Sequence, residues 1–437
     1  MPQWSTAGGA HPRWAGRRTL AVASALALAA IVLPACGGSS TTATGTVNLS
    51  YYNEPDSSPA TQDGANDCSN QSHGAYKIHY IKLPTQSDQQ RQQLVRRLAA
   101  HDNSVDIMGL DVTWAPEFSE AGWIAPITGT VADHVKSATL PGPLKTATWH
   151  NQLVAIPQSS NTQLLWYRDD LVHNPPTTWD QMLNMADQLA RQGKPHYIEI
   201  QGAQYEGLTV WFNSLITSAG GSILTHDSTA PSLGQPAIRA MEIMRRLAHS
   251  AAADPSLSVQ QEDQNRLAME SGTAAFELNY PFVYPSMKAD EPALFKHFKW
   301  APFPGVEQGR PATPTIGGIN LAVSTYSRHR QLALQAAECL ANVPNQTRAA
   351  VVGGLPPTLA SIYNHPSSEF ISMYPFYRLI QRQLANASTR PLTPEYQSVS
   401  IFISHTLSPP SGINPQSDLT TLHNRISDAL AQRGVIP

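Results

Sequence analysis

A short apolar strand, Val105 to Leu110, ends at Asp111, and a second candidate strand, Thr273 to Leu278, leads into Asn279, Tyr280 and Pro281. In open α/β sheets ligands bind outside the carboxyl ends of strands, which makes Asp111 a candidate contact. A carboxylate there, with Glu, Asn, Gln or Arg from other elements, can clamp a hydroxyl that both donates and accepts. Tyr280 supplies the complementary surface, because the C–H face of a sugar ring packs on Trp or Tyr. Trp114, Trp123, Trp166 and Trp211 read as core aromatics instead.

Other chemistries are missing. The chain has no Gly-x-Ser-x-Gly elbow, no His-Glu-x-x-His helix, no phosphate-binding P-loop and no Cys-x-x-Cys pair. The fifteen histidines are scattered, and none pairs with another or with a carboxylate at a metal-ligand spacing. The reading is therefore binding without catalysis, with no metal and no cofactor.

The cellular address is written at the start. Arg13, Arg17 and Arg18 precede an uncharged run, Leu20 to Leu33, followed by Pro34, Ala35 and Cys36. This reads as a signal peptide (1–35) ending in a lipobox, with lipidation expected at Cys36. The run is shorter than the ~20 residues that span a bilayer, so cleavage fits better than a permanent anchor. Residues 36–46, almost all Gly, Ser, Thr and Ala, form a lipidated tether that holds the body at the outer face of the membrane. The leader carries three arginines and no acid, so its removal takes the formal net charge from −3 to −6. A mildly acidic body argues against nucleic acid as a partner. An exported chain whose other cysteines are Cys68 and Cys339 invites a disulfide, with two buried thiols the alternative.

The elements that position these residues follow a strand, helix, strand grammar. Val47 to Tyr52 and Tyr76 to Leu83 read as strands. Gln89 to Ala100 is an amphipathic helix with Leu94, Val95 and Leu98 on one face. Leu153 to Pro157, Leu164 to Tyr167, Ile198 to Gln201 and Ile316 to Val323 read as further strands, with helices between them at 179–192, 208–219, 239–252 and 264–270. The order predicts parallel α/β architecture. The proline-rich stretch Pro302 to Pro314 reads as a linker or hinge approach.

Beyond these local readings, "DIMGLDVTWAPEFSEAGW" from Asp106, "NTQLLWYR" from Asn161, "GLTVWFNSLITSAGGSIL" from Gly207, "SGTAAFELNYPF" from Ser271 and "TIGGINLAV" from Thr315 stand in one order. So ordered, with "TLPGPL" from Thr139 and "RPLTPEYQ" from Arg390, the chain resembles the extracellular sugar-binding proteins of ABC importers, and among them the mycobacterial trehalose-binding lipoproteins. The resemblance implies a bilobed periplasmic-binding-protein-like fold, two α/β lobes around a ligand cleft, with 47–157 plus 315–375 as lobe 1 and 158–314 plus 376–437 as lobe 2. It implies that Asp111, Asn161 and Glu262 bond sugar hydroxyls, that Arg390 closes over a disaccharide, and that Gln90 lines the cleft. Gly317 and Gly318 would let backbone approach the ligand. It also implies a Cys68–Cys339 disulfide.

Two departures stand out. Tyr280 occupies the position of a tryptophan, and Ser57 that of an aspartate, leaving Glu54 or Asp56 as replacements. The expected partners are a trehalose-like disaccharide, membrane permease subunits with a cytoplasmic ATPase, and the membrane itself through the lipid; the expected state is a monomer. Another glycoside or oligosaccharide, a non-transport surface scaffold, and a glycosidase using Asp111 and Glu262 as its acid pair remain the alternatives.

Overall fold

The structure, a computed structural model, describes residues 45–55 and 58–433. The leader, Cys36, nearly all of the tether, and Asp56 lie outside the described residues. The strands are β1 (Val47–Asn53), β2 (Tyr76–Lys82), β3 (Ile107–Asp111), β4 (Thr148–Trp149), β5 (Gln152–Leu153), β6 (Ile156–Asn161), β7 (Leu164–Arg168), β8 (Tyr197–Glu199), β9 (Ala274–Asn279), β10 (Phe298–Ala301) and β11 (Gly317–Val323).

They form a five-stranded sheet in the order β2-β1-β3-β11-β6, a four-stranded sheet in the order β10-β7-β9-β8, and the small pair β4-β5. Parallel pairing holds for β1 with β2 and β3, joined by crossover helices. It fails at β11, which runs antiparallel to both β3 and β6, and in the second sheet at β7, antiparallel to both β9 and β10. The chain returns from the second sheet at the edge where β3 ends, and from there a strand can only run back. Register then brings Asn53, Asp111, Asn161 and Gly317 to one edge of the first sheet, with Ile319 opposite Asp111 and Gly317 opposite Asn161. Only Thr162 and Gln163, both buried, separate β6 from β7 and carry the chain between the sheets.

Local sequence accounts for the helices. In Trp179–Arg191 the Thr178 side chain caps the Gln181 N–H, and Trp179, Met182, Leu183, Ala186 and Leu189 recur at helical spacing on the buried face. That face packs on the second sheet with helices Glu206–Ser218, Gln235–Ala248, Tyr396–Leu407 and Pro415–Leu430. The opposite face of the second sheet holds an aromatic core, where Trp166 stacks on Phe298 and meets Phe376 edge-on. Side chains from both sides of the lobe boundary expected at residue 375, Ile362 to Tyr374 and Phe376 to Leu384, share this core. The first sheet has its own core, from Leu49 and Tyr51 to Leu340.

A disulfide joins Cys68 on helix Ala60–Gln71 to Cys339 on helix Arg330–Leu340. Trp166 and Trp211 are fully buried, Trp114 nearly so, and Trp123 is half-buried against the first core. Strand β10 was not foreseen: with four residues, a half-buried middle and an edge position, it carries little periodic signal.

Candidate functional site

The polar edges of the two sheets face one cavity of about 770 Å³. Glu54, Gln90, Asp111, Asn161, Glu262, Tyr280, Gly317, Gly318 and Arg390 all line it. Among the described residues no tryptophan does.

Asp111 is the last residue of β3, and its Oδ1 accepts from the Thr113 N–H at 2.9 Å and the Thr113 hydroxyl at 2.7 Å. This turn fixes the carboxylate toward the cavity. Arg390 donates from Nη2 to both Asp111 oxygens, at 3.1 and 3.4 Å, and from Nη1 to Glu206. Glu206 also accepts from the hydroxyls of Tyr396 and Ser400. Burial pushes the Glu206 carboxyl up, against the pull of Arg390. Burial also opposes the Arg390 charge, but Asp111, Tyr396 and Glu206 outweigh it and hold the guanidinium protonated. Arg390 Nε is buried with no partner.

Glu206 and Glu262 each open a helix, Glu206–Ser218 and Glu262–Glu270, where the N-terminal dipole favours a carboxylate. Glu262 accepts from the Tyr205 hydroxyl at 2.7 Å, and burial raises its pKa. Beneath it Asn279, the end of β9, donates to the Glu262 carbonyl at 2.9 Å and to Glu277 at 2.7 Å, and accepts the Tyr280 N–H at 2.8 Å. Burial and then the Glu262 charge hold the Tyr280 hydroxyl neutral, so it both donates and accepts. Asn161 ends β6, and its buried Oδ1 has no partner.

Two expected roles change in detail. Gln90 is buried, and its amide donates to the Pro84 and Thr85 carbonyls, so it braces the 84–85 turn as well as lining the wall. A Cβ at Gly317 would stand 2.2 Å from Asn161 Oδ1, and one at Gly318, whose φ is +132°, would stand 2.2 Å from the Ser159 carbonyl oxygen. Close packing of β11 on β6 requires Gly318 before any ligand arrives, whereas at Gly317 the obstacle is only the Asn161 side chain.

A family model of bacterial extracellular solute-binding proteins matches residues 75–347. The chain belongs to this family. A similar sequence is a "Probable ABC transporter-binding protein" of Deinococcus radiodurans, 26% identical over 327 residues that cover 72% of this chain and 76% of the relative. Solved structures with the same fold include maltose-bound MalE3 of T. maritima, with a TM-score of 0.80 and 23% identity over 87% of this chain and 99% of that one. The GacH receptor of Streptomyces glaucescens, solved unliganded and with acarbose, has a TM-score of 0.78 and 19% identity over 89% and 100%. The fold is the bilobed α/β fold of periplasmic binding proteins, as the sequence led us to expect. The family is one of extracytoplasmic binding proteins, not enzymes.

In this solute-binding protein the sequence reading missed Glu206, Tyr205 and Arg266 on the cavity wall. A signal for Glu206 was present: an acid at the first position of a helix that follows a strand, one residue before the motif from Gly207. Elsewhere, Asp169, Asp170 and His297 lie close enough to hold an ion, but Lys299 and Arg168 already pair with the two acids.

Proposed function

We propose that this solute-binding protein is the lipid-anchored sugar receptor of an ABC importer, capturing a disaccharide, trehalose first, in the interlobe cavity. The reading rests on the convergence of Asp111, Asn161, Glu262, Tyr280 and Arg390, from segments far apart in sequence, on one cavity. Its volume, about 770 Å³, falls in the ~300–1,000 Å³ range of small-molecule sites. Carboxylates, an amide, a guanidinium with a free Nε and one aromatic ring match a polyol with an apolar face. The relatives' descriptions, an ABC transporter-binding protein and receptors holding maltose or acarbose, support the same class.

The ligand shifts the population toward a closed form that binds it more tightly, and the permease, with its ATPase, takes the closed form. A lipid on Cys36 keeps a monomeric receptor near that permease, where local concentration replaces affinity. Another glycoside is the second reading, favoured by Tyr280, a smaller stacking face than tryptophan. Calorimetric titration with trehalose, maltose and longer glucosides tests the assignment. Saturable heat with trehalose supports it; no heat and no thermal shift with any disaccharide overturns it.

A further inference from the structure

Among the described residues the cavity wall carries two guanidinium groups, Arg266 and Arg390, and six carboxylates: Glu54, Asp111, Glu206, Glu262, Asp263 and Asp290. Neither arginine is available to an anion. Arg390, with its side chain 3% exposed, sits between Asp111 and Glu206, so one positive charge is shared by two negative ones. The buried Nε that remains without a partner is a single N–H, enough for a hydroxyl or ring oxygen but not for a forked bond to a carboxylate. Arg266 donates to Glu270 at 2.7 Å and has Asp263 and Asp290 at 3.5 and 3.9 Å. A ligand carboxylate or phosphate would therefore enter a pocket where negative charge is already in excess.

Glu262 differs from Asp111, Glu206, Asp263 and Asp290, the four acids of the wall that face an arginine. Its partner is the Tyr205 hydroxyl, and among the described residues no Arg, Lys or His pairs with it. A half-buried carboxylate without a counter-charge carries a desolvation cost, and a ligand group that brings both a proton and a positive charge removes it.

Resting on the sugar-binding reading above, we propose that the cleft selects its ligand by charge. It accepts an amino-bearing, cationic glycoside alongside neutral ones, the ammonium group directed at Glu262, and it rejects uronates and sugar phosphates.

The test is calorimetric titration of the mature protein at pH 7 with trehalose and with trehalose carrying one amine or one carboxylate at matched positions, C2 and C6. An amine bound at least threefold more tightly than the matched acid at one position or both, with the acid never the tighter, supports the proposal; every other ordering overturns it. Trehalose binding without that ordering sinks the charge selection and leaves the sugar reading intact, whereas no binding by any member of the panel removes both. Glu262→Gln must narrow the gap, and an unchanged gap overturns the role given to Glu262. Circular dichroism of the variant separates a lost preference from a lost fold.

Discussion

Arg390 reaches Asp111 at 3.1 Å across 279 positions of sequence, tying the segment before helix Tyr396–Leu407 to the end of β3. The same guanidinium holds Glu206, so one side chain joins the polar edges of both lobes. Replacing Arg390 by Met leaves two carboxylates facing each other without a counter-charge. Breaking a buried pair in this way costs roughly 3–5 kcal/mol, and urea unfolding should register it as a lower midpoint. Arg390→Lys keeps the charge but not the fork, and should recover only part of the loss. An unchanged midpoint in the Met variant would contradict the linking role.

Asp111 and Glu262 are expected to carry ligand affinity more than stability. Asp111→Ala and Glu262→Ala should each weaken sugar binding tenfold or more while the fold is retained, since each strips hydroxyls of a charged partner. Titration together with circular dichroism checks both halves of this expectation.

Gly317 and Gly318 separate fold from site. Gly318→Ala places a Cβ 2.2 Å from the Ser159 carbonyl at a φ of +132°, and should destabilise by about 1–3 kcal/mol. In Gly317→Ala the Cβ meets a side-chain atom, Asn161 Oδ1, which can move aside. The expected result is a smaller change in melting temperature and a larger loss of affinity, because Asn161 leaves its place. The reverse pattern in the two melts and titrations would refute the distinction.

Glu199 and Glu277 stand side by side on parallel neighbours β8 and β9, and both are buried. Burial pushes each carboxyl up to about 8, with Asp254 adding to the effect on Glu199 and Glu199 to that on Glu277. The fold holds these protons while the unfolded chain releases them near 4.5. Stability from this source is complete below about pH 4.5 and is lost as pH rises toward about 8. The slope is at most ~1.4 kcal/mol per pH unit for each group, and it levels off above the folded pKa. Melting temperatures measured across this range should fall, and Glu277→Gln should flatten the fall. A wild-type profile that rises from pH 5 to 8 and does not change in the variant would exclude this pair as its cause.

The disulfide closes a sequence separation of 271 residues between helices that both pack on the first sheet. Its removal by Cys339→Ser should cost roughly 2–5 kcal/mol. The two helices reach the cavity wall through Thr61, Gly64 and Leu340, but Asp111, Asn161, Glu262, Tyr280 and Arg390 belong to other elements, so sugar affinity of the folded variant should stay within about twofold. A chemical melt and a titration of the same preparation measure the two quantities.

Cys36→Ala should bind sugar in solution as the parent does, yet fail to support uptake by cells. A variant with full uptake would show that anchoring is dispensable.

Most strands and helices were legible because periodicity is local. Leu94 and Leu98 recur at helical spacing and both are buried, and the apolar run before Asp111 became a strand. β6 was placed about three residues early, since the polar residues Gln158, Ser159, Ser160 and Asn161 continue a strand that only its partner β11 sustains. β10 lacked a local signal altogether.

Residue type and order along the chain were enough to read the α/β class, and an acid and a tyrosine at strand exits, because these depend on neighbours a few positions apart. The pairing of Arg390 with both Asp111 and Glu206, the hydroxyl partner of Glu262, the glycine required at 318 where β11 crosses β6, and the antiparallel return of β11 came from the folded chain. Each is a contact between segments far apart in sequence, and its geometry exists only once both sheets have formed and turned their polar edges toward one cavity.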